Sequence, residues 1–140
     1  MEFQFAPNPG EPPRALRSIA SSGEIARVML ALKTVLAAVD RIPVLVFDEV
    51  DANIGGETGH VVGQKMEQIS RKRQVICITH LAQVAAHGSA HFLVTKRVKS
   101  GRTYSEMTML GKTQRVEELA RMLGGQSEAA TRHAQSLLKQ

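Results

Sequence analysis

The sequence predicts an α/β fold, and three observations predict it. Two short continuous apolar runs each end in polar residues, a helix-forming segment lies between them, and a later pair of runs meets at a glycine. The apolar runs are Pro43 to Phe47, closed by Asp48-Glu49, and Val75 to Ile78, closed by Thr79-His80. Strands apolar on both faces belong in the buried middle of a parallel sheet. Gly55 to Arg73 carries Val61, Val62, Met66 and Ile69 and supplies the crossover helix that parallel neighbours require.

The other elements follow in chain order. Phe3-Gln4-Phe5 alternates like a short strand, and Pro7, Pro9, Pro12 and Pro13 with Gly10 then make a stiff loop. A strand that begins almost at the first residue suggests a piece of a larger domain. Ile25, Val28, Met29, Leu32, Val35, Leu36 and Val39 recur at spacings of three and four, the stripe of an amphipathic helix. His91 to Val98 and Thr103 to Leu110 read as a hairpin turning at Lys99-Ser100-Gly101-Arg102. Val116, Leu119, Ala120 and Leu123 mark a short helix stopped by Gly124-Gly125. Ser127 then caps a last helix carrying Ala130, Ala134, Leu137 and Leu138. All 140 residues are expected to form one domain.

Composition narrows the class. The chain is 43% apolar and 22% charged, the balance of a globular protein rather than a disordered tail. Its one cysteine, Cys77, excludes a disulfide scaffold and a multi-cysteine zinc site. The most apolar stretch, Val28 to Val39, is too short to span a bilayer. The first residues lack a signal-peptide pattern, so a cytoplasmic protein is expected. The net charge is +5, yet it is unevenly placed: Gln68 to Ser105 holds seven basic residues and no acidic one. Such a stretch suits a polyanion such as DNA, and equally a solvated rim of loops.

Three constellations could carry chemistry. Asp48-Glu49 would lie at the carboxyl edge of a parallel sheet, where open α/β folds bind ligands. An apolar strand followed by Asp is the Walker B pattern, in which the Asp helps hold Mg²⁺ and a following Glu activates water. The same acids could simply begin a polar loop. Ser21-Ser22-Gly23-Glu24 opens the long helix: it forms a capping box, and the same geometry offers N–H groups and a hydroxyl to a phosphate. His80 emerges after the second strand, within reach of the acids if the strands are neighbours. His60, His87, His91 and His133 lack such a setting and are read as surface residues. Gly111-Lys112-Thr113 mimics the end of a P-loop, but Glu106 stands where the leading glycine belongs, so no Walker A is present.

Taken together, Ile19 to Arg27, Val46 to Gly56, Ile78 to Ala85 and Glu117 to Gly125 resemble the C-terminal lobe of an ABC-type ATPase head. The resemblance is to the SMC-like branch, and within it most closely to the RecN family of bacterial DNA-repair proteins. It covers nearly the whole chain, and the ordered motifs make it specific. It implies a parallel sheet core with flanking helices and a β-hairpin. It also implies ATP and Mg²⁺ as cofactors, with the Walker A supplied by an N-terminal lobe of the same protein across a long coiled coil. A second head would complete a homodimer, and DNA would be the partner. On that resemblance Ser21, Ser22 and Gly23 form the signature motif, which contacts nucleotide on the opposite head. Asp48 is the Mg²⁺ carboxylate, Glu49 the general base, Asp51 the D-loop acid and His80 the switch histidine. The family signature reads Ser-Gly-Gly-Glu, and Ser22 replaces its first glycine. A side chain there narrows the approach of phosphate to backbone.

The expected function is ATP hydrolysis between paired heads in recombinational repair of DNA double-strand breaks, with the lobe inactive when isolated. A non-catalytic DNA-binding or dimerisation module that keeps only the fold is the alternative. A DExD helicase core, suggested by Asp48-Glu49-Val50-Asp51, is disfavoured because Ile78-Thr79-His80 stands where a Ser-Ala-Thr-like motif belongs.

Overall fold

The computed structural model describes residues 4–6, 9–15, 21–36, 41–99, 101–125 and 127–139. Phe3, Pro7, Ile19 and Ala20, the helix residues beyond position 36, and Ser100 lie outside this set. The chain divides into two compact units, Met1–Thr79 and His80–Gln140.

In the first unit, β1 (Gln4–Phe5) pairs antiparallel with β2 (Arg14–Ala15) across the proline-rich loop. Helix α1 (Ser22–Val35) follows, then β3 (Val44–Phe47), α2 (Gly56–Ser70) and β4 (Gln74–Cys77). Strands β3 and β4 are parallel, in register from Val44 opposite Gln74 to Phe47 opposite Cys77, with α2 as the crossover. That is the expected strand–helix–strand order. Helix α2 packs on both α1 and β4. The core is built from Leu30, Leu45, Phe47, Val50, Val62, Met66 and Ile69.

Two expectations about burial fail here. Only one face of the β3–β4 pair is covered: Val44, Val46, Ile76 and Ile78 are exposed, Val46 to 62%. Period-two geometry sends alternate side chains to opposite faces, and a two-stranded pair with a helix on one side buries only half of them. The α1 stripe is likewise helical without being buried. Ile25, Met29, Leu32, Val35 and Leu36 are exposed, while Gly23 and Leu30 are the buried positions.

In the second unit, the short helix α3 (Ala82–Ala85) leads to β5 (Phe92–Lys99) and β6 (Arg102–Met109). These form a two-stranded hairpin in which Lys99 faces Arg102. The turn is tighter than the four residues expected, and Gly101 takes a φ of 73°, the left-handed conformation that such turns demand. Helix α4 (Lys112–Met122) and helix α5 (Glu128–Leu137) then pack together. Ala82, Leu119, Ala120 and Ala134 form the core of this unit. Helix α4 ends at Gly124-Gly125, with φ 106° and 143°, and the Ser127 side chain accepts the Ala130 N–H at 3.2 Å. Both stop and cap are those expected. Gly111 begins α4 as an ordinary helix start, its N–H donated to Gln114 Oε1 at 2.9 Å, so it cradles nothing. Among the described residues no helix is long and apolar enough to cross a membrane.

Candidate functional site

The site grows from the start of α1 and the loop that follows β3. Ser21 is extended and caps the helix. Its Oγ accepts the Glu24 N–H at 3.4 Å, and Glu24 Oε2 accepts the Ser21 N–H at 2.8 Å and its hydroxyl at 3.0 Å. These bonds to Ser21 hold the Glu24 carboxyl below its ordinary range. The capping box is therefore formed, and the first-turn amides stay at the positive end of the helix dipole.

Across the loop, Asp48 and Glu49 leave the end of β3 exposed to solvent, and Val50 and Asp51 turn fully inward. Glu49 and Asn53 both have positive φ, 58° and 59°, which bends the loop back toward α1. Ala52 closes it by donating its N–H to Glu49 O at 3.0 Å.

Three contacts bolt helix and loop together. Ser22 Oγ donates to Glu49 Oε2 at 2.6 Å. Arg27 Nη1 donates to Val50 O at 3.2 Å and to Ala52 O at 3.0 Å. Gly23 lies so close that a Cβ would stand 3.0 Å from Ala52 Cβ and 3.1 Å from Glu49 O. Behind the loop, Asp51 is 1% exposed and accepts a hydrogen bond from Thr79, the residue after Ile78. Partial burial, and then the charges of Asp51 and Asp48, push the half-buried Cys77 thiol up to about 12, which disfavours the reactive thiolate.

Ser21, Ser22, Gly23, Asp48, Glu49 and Asp51 thus all belong to one unit, and the helix start meets the acidic loop directly. His80 is exposed and is the first residue of the second unit. Among the described residues no group of three or more His, Cys, Asp or Glu could hold a metal ion by itself. Arg27 and Thr79, which fasten this loop, are not among the residues the sequence singled out. Arg27 could have been found, since it lies four residues after Gly23 and so on the same helix face.

The second unit has a polar knot of its own. Arg115 Nη2 donates to Ala85 O at 3.2 Å, to Ala86 O at 2.8 Å and to Gly88 O, gathering the carbonyls at the end of α3. His91, expected at the surface, is half-buried instead, and its Nδ1 is buried with no hydrogen-bond partner. Its backbone accepts from Leu110, which places it at the base of the hairpin.

This fold is shared with the heads of SMC ATPases. The chain superposes on an SMC ATPase solved in a study of ATP-driven dimerization and DNA-stimulated activation, with a TM-score of 0.56 at 19% identity over 84% of this chain and 70% of that one. It also superposes on an SMC head bound to the C-winged helix domain of ScpA, with a TM-score of 0.52 at 22% identity over 75% of this chain and 31% of that one. No family profile matches the chain. The sequence carries the identification further. It is 48% identical to DNA repair protein RecN of Treponema pallidum over 99% of this chain, and 48% identical to RecN of Deinococcus radiodurans over 97%. RecN of Bacillus subtilis is 39% identical over the full chain. By sequence the chain is a homologue of part of RecN, and it spans about a quarter of the length of these curated relatives.

Proposed function

We propose that the chain is the C-terminal lobe of a RecN-type ATPase head, which hydrolyses ATP between paired heads during repair of DNA breaks. The observation that carries this reading is the docking of the α1 start onto the Asp48–Asp51 loop. It brings a phosphate-ready helix end and two exposed carboxylates into one structural unit. In this reading Glu49 takes a proton from the attacking water, Asp51 braces the loop, and the Ser22 and Gly23 backbone amides of the helix start, rather than its serine side chains, meet nucleotide carried by the opposite head. Asp48, a single exposed carboxylate, suits Mg²⁺, which keeps several waters and binds through one or two carboxylates plus phosphates. When bound, that ion would neutralise charge on the phosphates. His80 acts as the switch histidine.

The uncovered apolar faces support a partner lobe. Val44, Val46, Ile76 and Ile78 on the parallel pair, and Ile25, Met29 and Leu32 on α1, are exposed at a density unusual for a finished surface. In the hairpin, Phe92, Val94, Val98, Met107 and Met109 share one exposed face by register. An N-terminal lobe carrying the Walker A would cover such faces, consistent with a chain a quarter as long as its relatives. In the full-length protein Glu49→Gln should trap ATP between heads and abolish turnover, while the 140-residue chain alone should turn over no ATP. Normal hydrolysis by Glu49→Gln would remove this reading.

One observation also favours DNA contact by this lobe. The hairpin face opposite the apolar one carries Arg97, Lys99, Arg102 and Tyr104, all exposed, together with Glu106, whose carboxylate pairs with Arg97 at 3.4 Å. Lys99 and Arg102, opposite one another at the end of the ribbon, suit the phosphate backbone. A salt titration with duplex DNA tests it.

A further inference from the structure

We infer that Ser22 is a positioning residue for Glu49, acting on the acid of its own lobe and not on nucleotide; this rests on the role proposed above for Glu49. The two serines at the start of α1 have different work. Ser21 is consumed by the cap, its Oγ both accepting from and donating to Glu24. Ser22 turns the other way and reaches across 27 residues to Glu49, at the short distance of 2.6 Å typical of a hydroxyl on a charged carboxylate.

A hydroxyl carries one hydrogen, so Ser22 cannot donate to Glu49 and to a phosphate together. The backbone beneath the acid is already held. Glu49 sits at φ 58°, its carbonyl accepts from Ala52, and that carbonyl is packed against Gly23. What this scaffold leaves loose is the long Glu49 side chain, whose rotamer freedom is among the largest of any residue. The Ser22 hydrogen bond removes that freedom, and a general base depends on being held within a fraction of an ångström of its proton. A glycine at position 22 would leave the carboxylate unfastened.

The contact is tested first in the 140-residue chain by a thermal double-mutant cycle. Ser22→Ala and Glu49→Ala should each lower the melting temperature, and the double variant by clearly less than the sum. Full additivity would overturn the contact. In the full-length protein Ser22→Ala should lower kcat roughly tenfold, an order set by the loss of positioning. Ser22→Thr, which keeps the hydroxyl, should restore most of it. In a Glu49→Gln background, the ATP concentration that half-pairs the heads should not move when Ser22→Ala is added. A rise there would assign Ser22 to nucleotide and overturn the inference, as would failure of Ser22→Thr to rescue. Normal turnover by Glu49→Gln would instead strike the function of Glu49, while the thermal cycle still reported the bond, so the two failures are told apart.

Discussion

Thr79 and Asp51, 28 residues apart, are joined by a side-chain hydrogen bond in which Thr79 Oγ1 donates to Asp51 Oδ2 at 2.5 Å. This ties the segment after β4 to the loop after β3, so the two strand ends that frame the site share one fastening. A buried carboxyl group that loses a donor keeps its desolvation cost without the compensation. Thr79→Val, nearly equal in shape, should therefore destabilise the chain by about 1–3 kcal/mol. Urea denaturation with an unchanged m-value checks it, and a variant as stable as the parent would show that the bond does not matter.

Gly23→Ala should also destabilise, against its helix propensity. Alanine gains up to about 1 kcal/mol over glycine inside a helix. Here the new methyl would meet Ala52 Cβ at 3.0 Å, and Arg27 Nη1 and Glu49 O at 3.1 Å. Arg27 cannot simply swing aside, because Val50 O and Ala52 O hold it. Overpacking of this kind typically costs about 1–3 kcal/mol, so the clash should outweigh the propensity gain. A melting temperature higher than the parent's would contradict this.

Much of this was legible in the sequence, for reasons that can be stated residue by residue. The Ser21 and Ser127 caps and the Gly124-Gly125 stop depend on local backbone chemistry, which a few neighbouring residues determine. The β3–α2–β4 unit was legible because parallel pairing needs a crossover and the apolar runs mark its ends. Burial was not. The apolar stripe of α1 and the outward residues of β3 and β4 are exposed, because periodicity records an apolar face without recording whether anything in the chain packs on it. The Ser22–Glu49, Arg27–Val50 and Thr79–Asp51 contacts span 23 to 28 residues, and no local pattern encodes them. His91 was misplaced for the same reason: its burial comes from the packing of the second unit.

Cys77 should resist thiol reagents while the chain is folded. Its thiol is pushed from an ordinary 9.0 up to about 12, chiefly by burial, so at pH 8 the thiolate is about a thousandfold scarcer than in the unfolded chain. Alkylation with iodoacetamide should be slow in buffer and fast in urea. Equal rates in both would show the thiol to be open.

The cationic face of the hairpin yields a prediction about salt. If Lys99 and Arg102 meet phosphates, Lys99→Gln with Arg102→Gln should reduce the slope of log affinity against log salt by about 2, close to 0.9 per contact. Arg132→Gln, on α5 and paired with Glu128 at 2.5 Å, should leave the slope as it was. Fluorescence anisotropy with a short duplex, from low to physiological salt, reads both. An unchanged slope in the hairpin variant would move any DNA contact elsewhere.

Acid should weaken the second unit in two separate stages. Burial first, and then the charge of Arg115, hold the His91 imidazole below its ordinary 6.5, with Glu118 opposing more weakly. As pH falls through 6.5 the unfolded chain takes up this proton before the folded one does. Stability is therefore full above that value and declines below it, by at most about 1.4 kcal/mol per pH unit. Glu118 behaves differently. Two hydrogen bonds from Arg121, at 2.6 and 2.8 Å, hold its carboxyl below 4.5, so its contribution persists above 4.5 and is lost as pH drops further. His91→Phe should flatten the upper stage and leave the lower one, whereas Glu118→Gln should do the reverse. Urea midpoints from pH 8 down to about pH 2.5 measure both, and an upper stage that survives His91→Phe would place its proton on another group.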